Sequence, residues 1–253
     1  MAQIWSTIGS TYWHMVRAPR YSLTFAFPLL AAYETLAFFL SQFEVVGVRN
    51  GADVLLKSLF VGMGGRDGLA IFGALLVGGG AAVVWRDVRR GGRIRPRYFA
   101  VMALESIGYA LVFGLVAGTL TTWLLPRLTF SVAGIAGGQL ADLNLAQQLM
   151  ISLGAGIYEE LLFRVLLVTG LVLIGTAAFG WRRARANLFA VIIGAIIFAA
   201  FHYVGPYGEP WALGSFTFRT VAGVMFSGLY VLRGFGITAW THALYDVLLA
   251  VGW

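Results

Sequence analysis

Charged residues and cysteine are the scarcest features of this 253-residue chain. Only 11% of its residues are charged, against about 25% in soluble domains, and cysteine is absent. The absence of cysteine excludes a disulfide framework, a thiolate nucleophile and a Cys-ligated zinc or iron–sulfur site. The low charge excludes an ordinary water-soluble globule, because 59% of the residues are hydrophobic and a soluble domain of this size cannot bury that much apolar surface. Most of the surface must therefore contact lipid.

The apolar residues form runs that are long enough to cross a bilayer, since a hydrocarbon core about 30 Å thick needs roughly 20 helical residues. These runs predict an all-α, polytopic membrane bundle. About seven transmembrane helices are expected, at residues 21–40, 68–85, 98–125, 145–175, 187–204, 215–232 and 236–252.

Shorter segments flank these runs. Residues 1–20 are interpreted as an interfacial lead-in, and residues 52–63 as an interfacial or re-entrant segment. Because no linker or repeat divides the chain, residues 1–253 are predicted to form a single membrane domain.

The basic residues predict the orientation in the membrane. If the spans alternate, one side receives most of the arginines, namely Arg17, Arg20, Arg86, Arg89, Arg90, Arg93, Arg95, Arg97, Arg182, Arg183, Arg185 and Arg233. By the positive-inside rule this side, with the N-terminus, is cytoplasmic. Orientation accounts for the net charge of +7, so no nucleic-acid partner is expected. Arginine outnumbers lysine 17 to 1, a bias that fits a bacterial genome of high GC content. The expected location is the bacterial inner membrane.

Three charged residues interrupt the apolar run at 145–175: Glu159, Glu160 and Arg164. Inserting a charged side chain at the bilayer centre costs about 2.5 to 3.5 kcal/mol of free energy. Each of these charges is therefore expected to have a structural or functional role. Glu160 and Arg164 are four residues apart on one helix face, and they are predicted to neutralise each other. Glu159 lies about a quarter-turn away and has no such partner. An unpaired carboxylate in an apolar site is the type of group that serves as a general base.

Two later spans carry further polar groups. Residues 187–204 contain Phe198 and His202, and residues 236–252 contain His242 and Asp246. The alternation of spans predicts that Glu159, the two histidines and Asp246 meet in one cavity in the outer half of the bilayer. A structural interpretation exists for each group, since buried ion pairs and interhelical hydrogen bonds also fix helix packing.

The three groups together resemble the motifs of the CAAX-protease and bacteriocin-processing family of intramembrane endopeptidases, also called the CPBP or ABI family. Its first motif is similar to Glu159, Glu160 and Arg164, its second to Phe198 and His202, and its third to His242 and Asp246. The resemblance covers roughly residues 145–250, and residues 145–253 are the expected catalytic core. The residues before it match only as generic membrane helices.

The resemblance implies glutamate-dependent hydrolysis of a peptide bond in a membrane-anchored or lipid-associated protein. It implies that Glu159 and His202 activate a water, and that His242 and Asp246 stabilise the oxyanion. Glu160, Arg164 and Phe198 would support the site. Prenyl-protein proteases of the family carry Asn where this chain has Asp246, and a carboxyl group donates to an oxyanion only when it is protonated.

Several alternatives remain open at this point. Glu159, His202, His242 and Asp246 also form an acceptable zinc ligand set, although no His-Glu-x-x-His pattern is present and the family resemblance implies catalysis without a cofactor. Glutamate and histidine in spans can also relay protons in a transporter. A non-catalytic membrane scaffold or immunity protein is a further possibility. Lipid and a membrane-anchored peptide are the expected partners.

Overall fold

Helices account for the apolar runs. The computed structural model describes residues 12–43, 49–126, 143–205 and 208–251, and no strand occurs within them. Nine α-helices are described: α1 Pro19–Phe43, α2 Gly51–Gly73, α3 Gly80–Gly91, α4 Arg97–Leu124, α5 Leu145–Gly154, α6 Thr169–Ala177, α7 Arg183–Phe201, α8 Leu213–Arg233 and α9 Phe235–Ala250. Two π-helical segments join neighbouring helices, Ala74–Gly79 between α2 and α3 and Ala155–Val168 between α5 and α6.

Six stretches of the described residues are long and apolar enough to cross a membrane: Pro19–Ser41, Asp67–Gly91, Arg97–Leu124, Leu145–Ala177, Arg183–Phe201 and Leu213–Arg233. The polytopic helical bundle is thus confirmed, with six such helices instead of about seven. The seventh predicted span, 236–252, corresponds to α9, which has 16 residues. At 1.5 Å per residue this helix is about 24 Å long, shorter than the hydrocarbon core.

Helix α9 occupies the centre of the bundle, where it packs against α1, α4, α5, α8 and the π-helical segment Ala155–Val168. Small side chains allow the close approach. A Cβ atom on Gly156 would lie 2.5 Å from the carbonyl oxygen of Ala239 and 2.6 Å from the Cβ of Ala243. Glycine at this position therefore brings the segment that carries Glu159 directly against the helix that carries His242.

The segment before α1 packs against the bundle in its described part. Val16 is fully buried, and the Tyr12 hydroxyl donates to Glu105 at 2.7 Å. Burial, with Glu105 beside the hydroxyl, raises the pKa of Tyr12. The Arg20 guanidinium lies 3.0 Å from Asp87. Residues 1–11 of the predicted interfacial lead-in lie outside the described residues.

The predicted interfacial or re-entrant segment at 52–63 is the first part of α2. The helix begins after Asn50, and its regular backbone is interrupted at Gly64 and Gly65, the latter with a φ of 57°. Such a φ favours glycine, so the sequence itself sets the kink. The kink separates residues 51–63 from the span that starts at Asp67.

Candidate active site

Glu159 lies on the π-helical segment and is 8% exposed. It forms no ion pair within the described residues, as its sequence position predicts. It is not without a partner, however, because the Asn50 amide nitrogen donates to its Oε1 at 2.7 Å. His202 and His242 both act on the Glu159 carboxylate electrostatically. The structure therefore places a carboxylate that forms no ion pair within electrostatic range of both predicted histidines.

His202 directly follows the last residue of α7. Its Nδ1 lies 3.0 Å from the carbonyl oxygen of Phe198. Because a carbonyl can only accept, Nδ1 carries the proton, and in the neutral ring Nε2 is left as an acceptor. The Phe198 ring packs edge-on against the imidazole, with the ring centroids 5.0 Å apart. This arrangement fixes the tautomer of His202 from within its own helix turn.

His242 is held between two carboxylates. Its Nδ1 lies 2.6 Å from Oε1 of Glu160, and its Nε2 lies 3.6 Å from Oδ2 of Asp246. The second distance is too long for a hydrogen bond. His242 and Asp246 are therefore at ion-pair distance along one helix face, as expected, but they form no hydrogen bond with each other. Glu160, from another element, provides the hydrogen bond that orients the ring, and the Phe226 ring stacks on it at 4.3 Å.

Glu160 also pairs with Arg164, as the four-residue spacing predicts. Arg164 Nη1 lies 3.2 Å from Glu160 Oε1, and both side chains are at most 1% exposed. The guanidinium lies 4.4 Å from the centre of the Phe198 ring and 5.6 Å from that of Phe226. The guanidinium nitrogens have no hydrogen-bond partner within the described residues, so ionic and cation–π contacts hold this cation.

One family model matches a part of the chain that contains all of these residues except Asn50. Residues 141–248 match the family model described as Type II CAAX prenyl endopeptidase Rce1-like. This part of the chain is similar to the Rce1-like family. No curated protein and no solved structure matches the chain. The match runs from before α5 to near the end of α9, so the Rce1-like segment contains the three motifs identified in the sequence.

Glu159, His202, His242 and Asp246 are also the candidate ligands for a zinc ion. Among the described residues, no group of three or more His, Asp or Glu side chains is placed to hold a metal ion. Three of the four candidate zinc ligands have one atom in a hydrogen bond: Asn50 donates to Glu159 Oε1, and the Nδ1 atoms of His202 and His242 donate to the Phe198 carbonyl and to Glu160. Glu159 Oε2 and the two Nε2 atoms have no hydrogen bond within the described residues. No step of the reaction proposed below is assigned to a metal.

Two groups at the site escaped the sequence analysis. Asn50 is the residue before α2, and only its position before a helix start could have singled it out, as an N-cap. Arg219 binds both oxygens of Glu209 at 2.5 and 2.6 Å, and the Glu209 backbone N–H donates to the His202 carbonyl at 2.9 Å. Arg219 thus binds Glu209, and Glu209 in turn binds the backbone of His202.

Proposed function

We propose that the protein is an intramembrane endopeptidase that hydrolyses a peptide bond in a membrane-anchored or lipid-associated protein. The observation that carries the proposal is Glu159, a buried carboxylate that acts on two histidines and forms no ion pair in the described part of the chain. The Rce1-like match over residues 141–248 supports the same reaction class. The chain is an integral membrane protein, which fits a substrate that is itself in the bilayer.

In the proposed reaction, Glu159 takes a proton from a water held between it and His202. The unprotonated Nε2 of His202 accepts the other O–H of that water. The water oxygen attacks the carbonyl carbon of the scissile bond and forms a tetrahedral intermediate. When the C–N bond breaks, Glu159 returns its proton to the leaving amine, so the carboxylate is regenerated and no cofactor is consumed.

The developing oxyanion is assigned to His242 and Asp246. With Glu160 accepting from Nδ1 and Asp246 beside Nε2, two carboxylates stabilise the doubly protonated ring. Its Nε2–H can then donate to the oxyanion. Asp246 can donate only when it is protonated, so in this chain the imidazolium supplies the donor, and Asp246 stabilises the imidazolium.

Terminal proteomics of membranes tests this function. We expect a set of new N- and C-termini in cells that express the wild type, and we expect Glu159→Gln and His202→Ala to abolish it. The same termini should form in membranes treated with EDTA and 1,10-phenanthroline, since the proposed reaction uses no metal. The variant Asp67→Asn, which removes an exposed acid, serves as the control that keeps activity. Identical termini from wild type and both site variants would end the proposal.

We also propose that the N-terminus is cytoplasmic and that the site opens toward the outer face of a bacterial inner membrane, because the arginine-rich loops mark the other side. The absence of cysteine makes this easy to test. A membrane-impermeant maleimide should label Ala212→Cys in intact cells, and should label Arg93→Cys only after the membrane is opened. Both positions are exposed. The reverse labelling pattern would put the site on the cytoplasmic side.

A further inference from the structure

Asn50 touches the proposed base from outside the Rce1-like segment. It is 109 residues before Glu159 in the chain and 4% exposed, and it lies at the start of α2. We infer that Asn50 is a positioning residue for catalysis: its amide N–H fixes the orientation of the Glu159 carboxylate. This inference rests on the proposed function, because it gives Asn50 a role only if Glu159 is the base.

Two contacts set the orientation of the Asn50 amide. Its Oδ1 accepts from the backbone N–H of Ala52 at 2.9 Å, and its Nδ2 donates to Glu159 Oε1 at 2.7 Å. A backbone N–H can only donate, so the amide oxygen must face Ala52. The amide nitrogen then necessarily faces Glu159. The same side chain thus caps helix α2 and binds the carboxylate.

The backbone around Asn50 is held by an ionic network centred on one buried carboxylate. Asp53 is fully buried; it accepts from the Tyr33 hydroxyl at 2.7 Å and pairs with Arg49 at 3.1 Å and with Lys57 at 2.6 Å. Lys57 also pairs with Glu34 on α1 at 2.8 Å. This network links the start of α2 to α1. It therefore fixes the position of the backbone that carries Asn50.

The backbone of α5 also lies close to Asn50. A Cβ atom on Gly154 would lie 2.8 Å from the Cβ of Asn50. Tyr158 contributes a second link, since its hydroxyl donates to Glu34 in the same network. Asn50 is therefore enclosed between α2 and the segment that carries Glu159, and it cannot move away without opening that packing.

The hydrogen bond has a defined chemical consequence. It occupies Oε1 of Glu159, whereas Oε2 has no hydrogen bond within the described residues. Oε2 is thus left to take a proton from water. The charged or titratable groups that act on Glu159 are Arg164 from its own segment and, from the other elements around it, His202, His242 and Asp246. Asn50 is the uncharged donor among these contacts.

Variants that keep the helix cap but lose the amide donor test this role. Asn50→Ser and Asn50→Asp can both still accept from the Ala52 N–H, and neither has an amide N–H for Glu159. The substrate is a peptide that spans a terminus formed by wild type and not by Glu159→Gln. We expect kcat to fall about tenfold or more for both variants. KM and Tm should stay close to wild type for Asn50→Ser, whereas Asn50→Asp places a second buried carboxylate beside Glu159 and should also lower Tm.

Asn144 provides the matched control. It caps α5 by accepting from the Gln147 N–H at 3.0 Å, and its side chain is exposed. Asn144→Ser and Asn144→Asp should leave kcat unchanged, because they alter only a cap. If both Asn50 variants keep full kcat while Glu159→Gln is inactive, Asn50 is a structural cap and the inference is wrong. If no terminus depends on Glu159, the proposed function itself fails, and the role of Asn50 fails with it.

Discussion

Arg164→Ala is expected to destabilise the protein by about 3 to 5 kcal/mol. The substitution removes the cation that faces Glu160 at 3.2 Å and leaves that carboxylate buried. It also leaves a void between the Phe198 and Phe226 rings, against which the guanidinium packs. Thermal unfolding of the purified protein in detergent should show a large drop in Tm, and less folded protein should be recovered from membranes.

Arg182→Ala is the matched control for this prediction, since Arg182 is exposed and its side chain caps nothing. A double-mutant cycle with Glu160→Gln separates the ion pair from the loss of packing. We expect the double variant to be more stable than the sum of the two single losses predicts, because the uncompensated charge is gone. A Tm of Arg164→Ala equal to that of Arg182→Ala would contradict the structural role of the pair.

The helical bundle was predictable because lipid imposes a simple rule of length and composition on each span. The exception is α9, where the apolar run at 236–252 appears long enough. Its start is set by Gly234, which has a φ of 81° and separates α8 from α9. The helix then ends at Ala250 after 16 residues. Hydropathy does not register where a helix begins and ends, so the predicted span at 236–252 extends beyond the helix that the structure has.

Contacts within one helix turn were predictable, and contacts between distant segments were not. The Glu160–Arg164 pair follows from a four-residue spacing. The hydrogen bond from His242 to Glu160 joins residues 82 apart, and only the packing of α9 on the π-helical segment creates it. The π-helical backbone adds a further departure, because its hydrogen bonds run from i to i+5. The α-helical estimate of the angle between Glu159 and Glu160 therefore does not apply.

In the N-terminal half, too, a contact between distant segments could not be predicted. The sequence before residue 145 resembles generic membrane helices, yet it supplies Asn50 to the proposed base. No periodicity links positions 109 residues apart. The signal available in the sequence was a polar residue before a helix start, which has a sufficient local explanation as a cap. Because the cap alone explains Asn50, its second contact, with Glu159, could not be predicted from the sequence.

Glu159→Gln is expected to lower the rate of peptide hydrolysis by about 10² to 10⁴-fold, the range attributed to general acid–base catalysis. Glutamine cannot take a proton from water at neutral pH. Its Oε1 can still accept from the Asn50 amide, and the substitution breaks no ion pair of the described structure. The Tm should therefore stay close to wild type. The two readouts are kcat on an identified substrate peptide and thermal unfolding in detergent.

Glu160→Gln distinguishes catalysis from packing at the adjacent position. Glu160 is fully buried, accepts from His242 and faces Arg164, so its loss should lower Tm as well as activity. The two glutamates therefore differ in the expected effect on stability. Glu159→Gln should lose activity and keep its Tm, whereas Glu160→Gln should lose activity and also have a lower Tm. If Glu159→Gln unfolds the protein while Glu160→Gln stays folded and inactive, the base is Glu160, and the assignment of the two carboxylates must be exchanged.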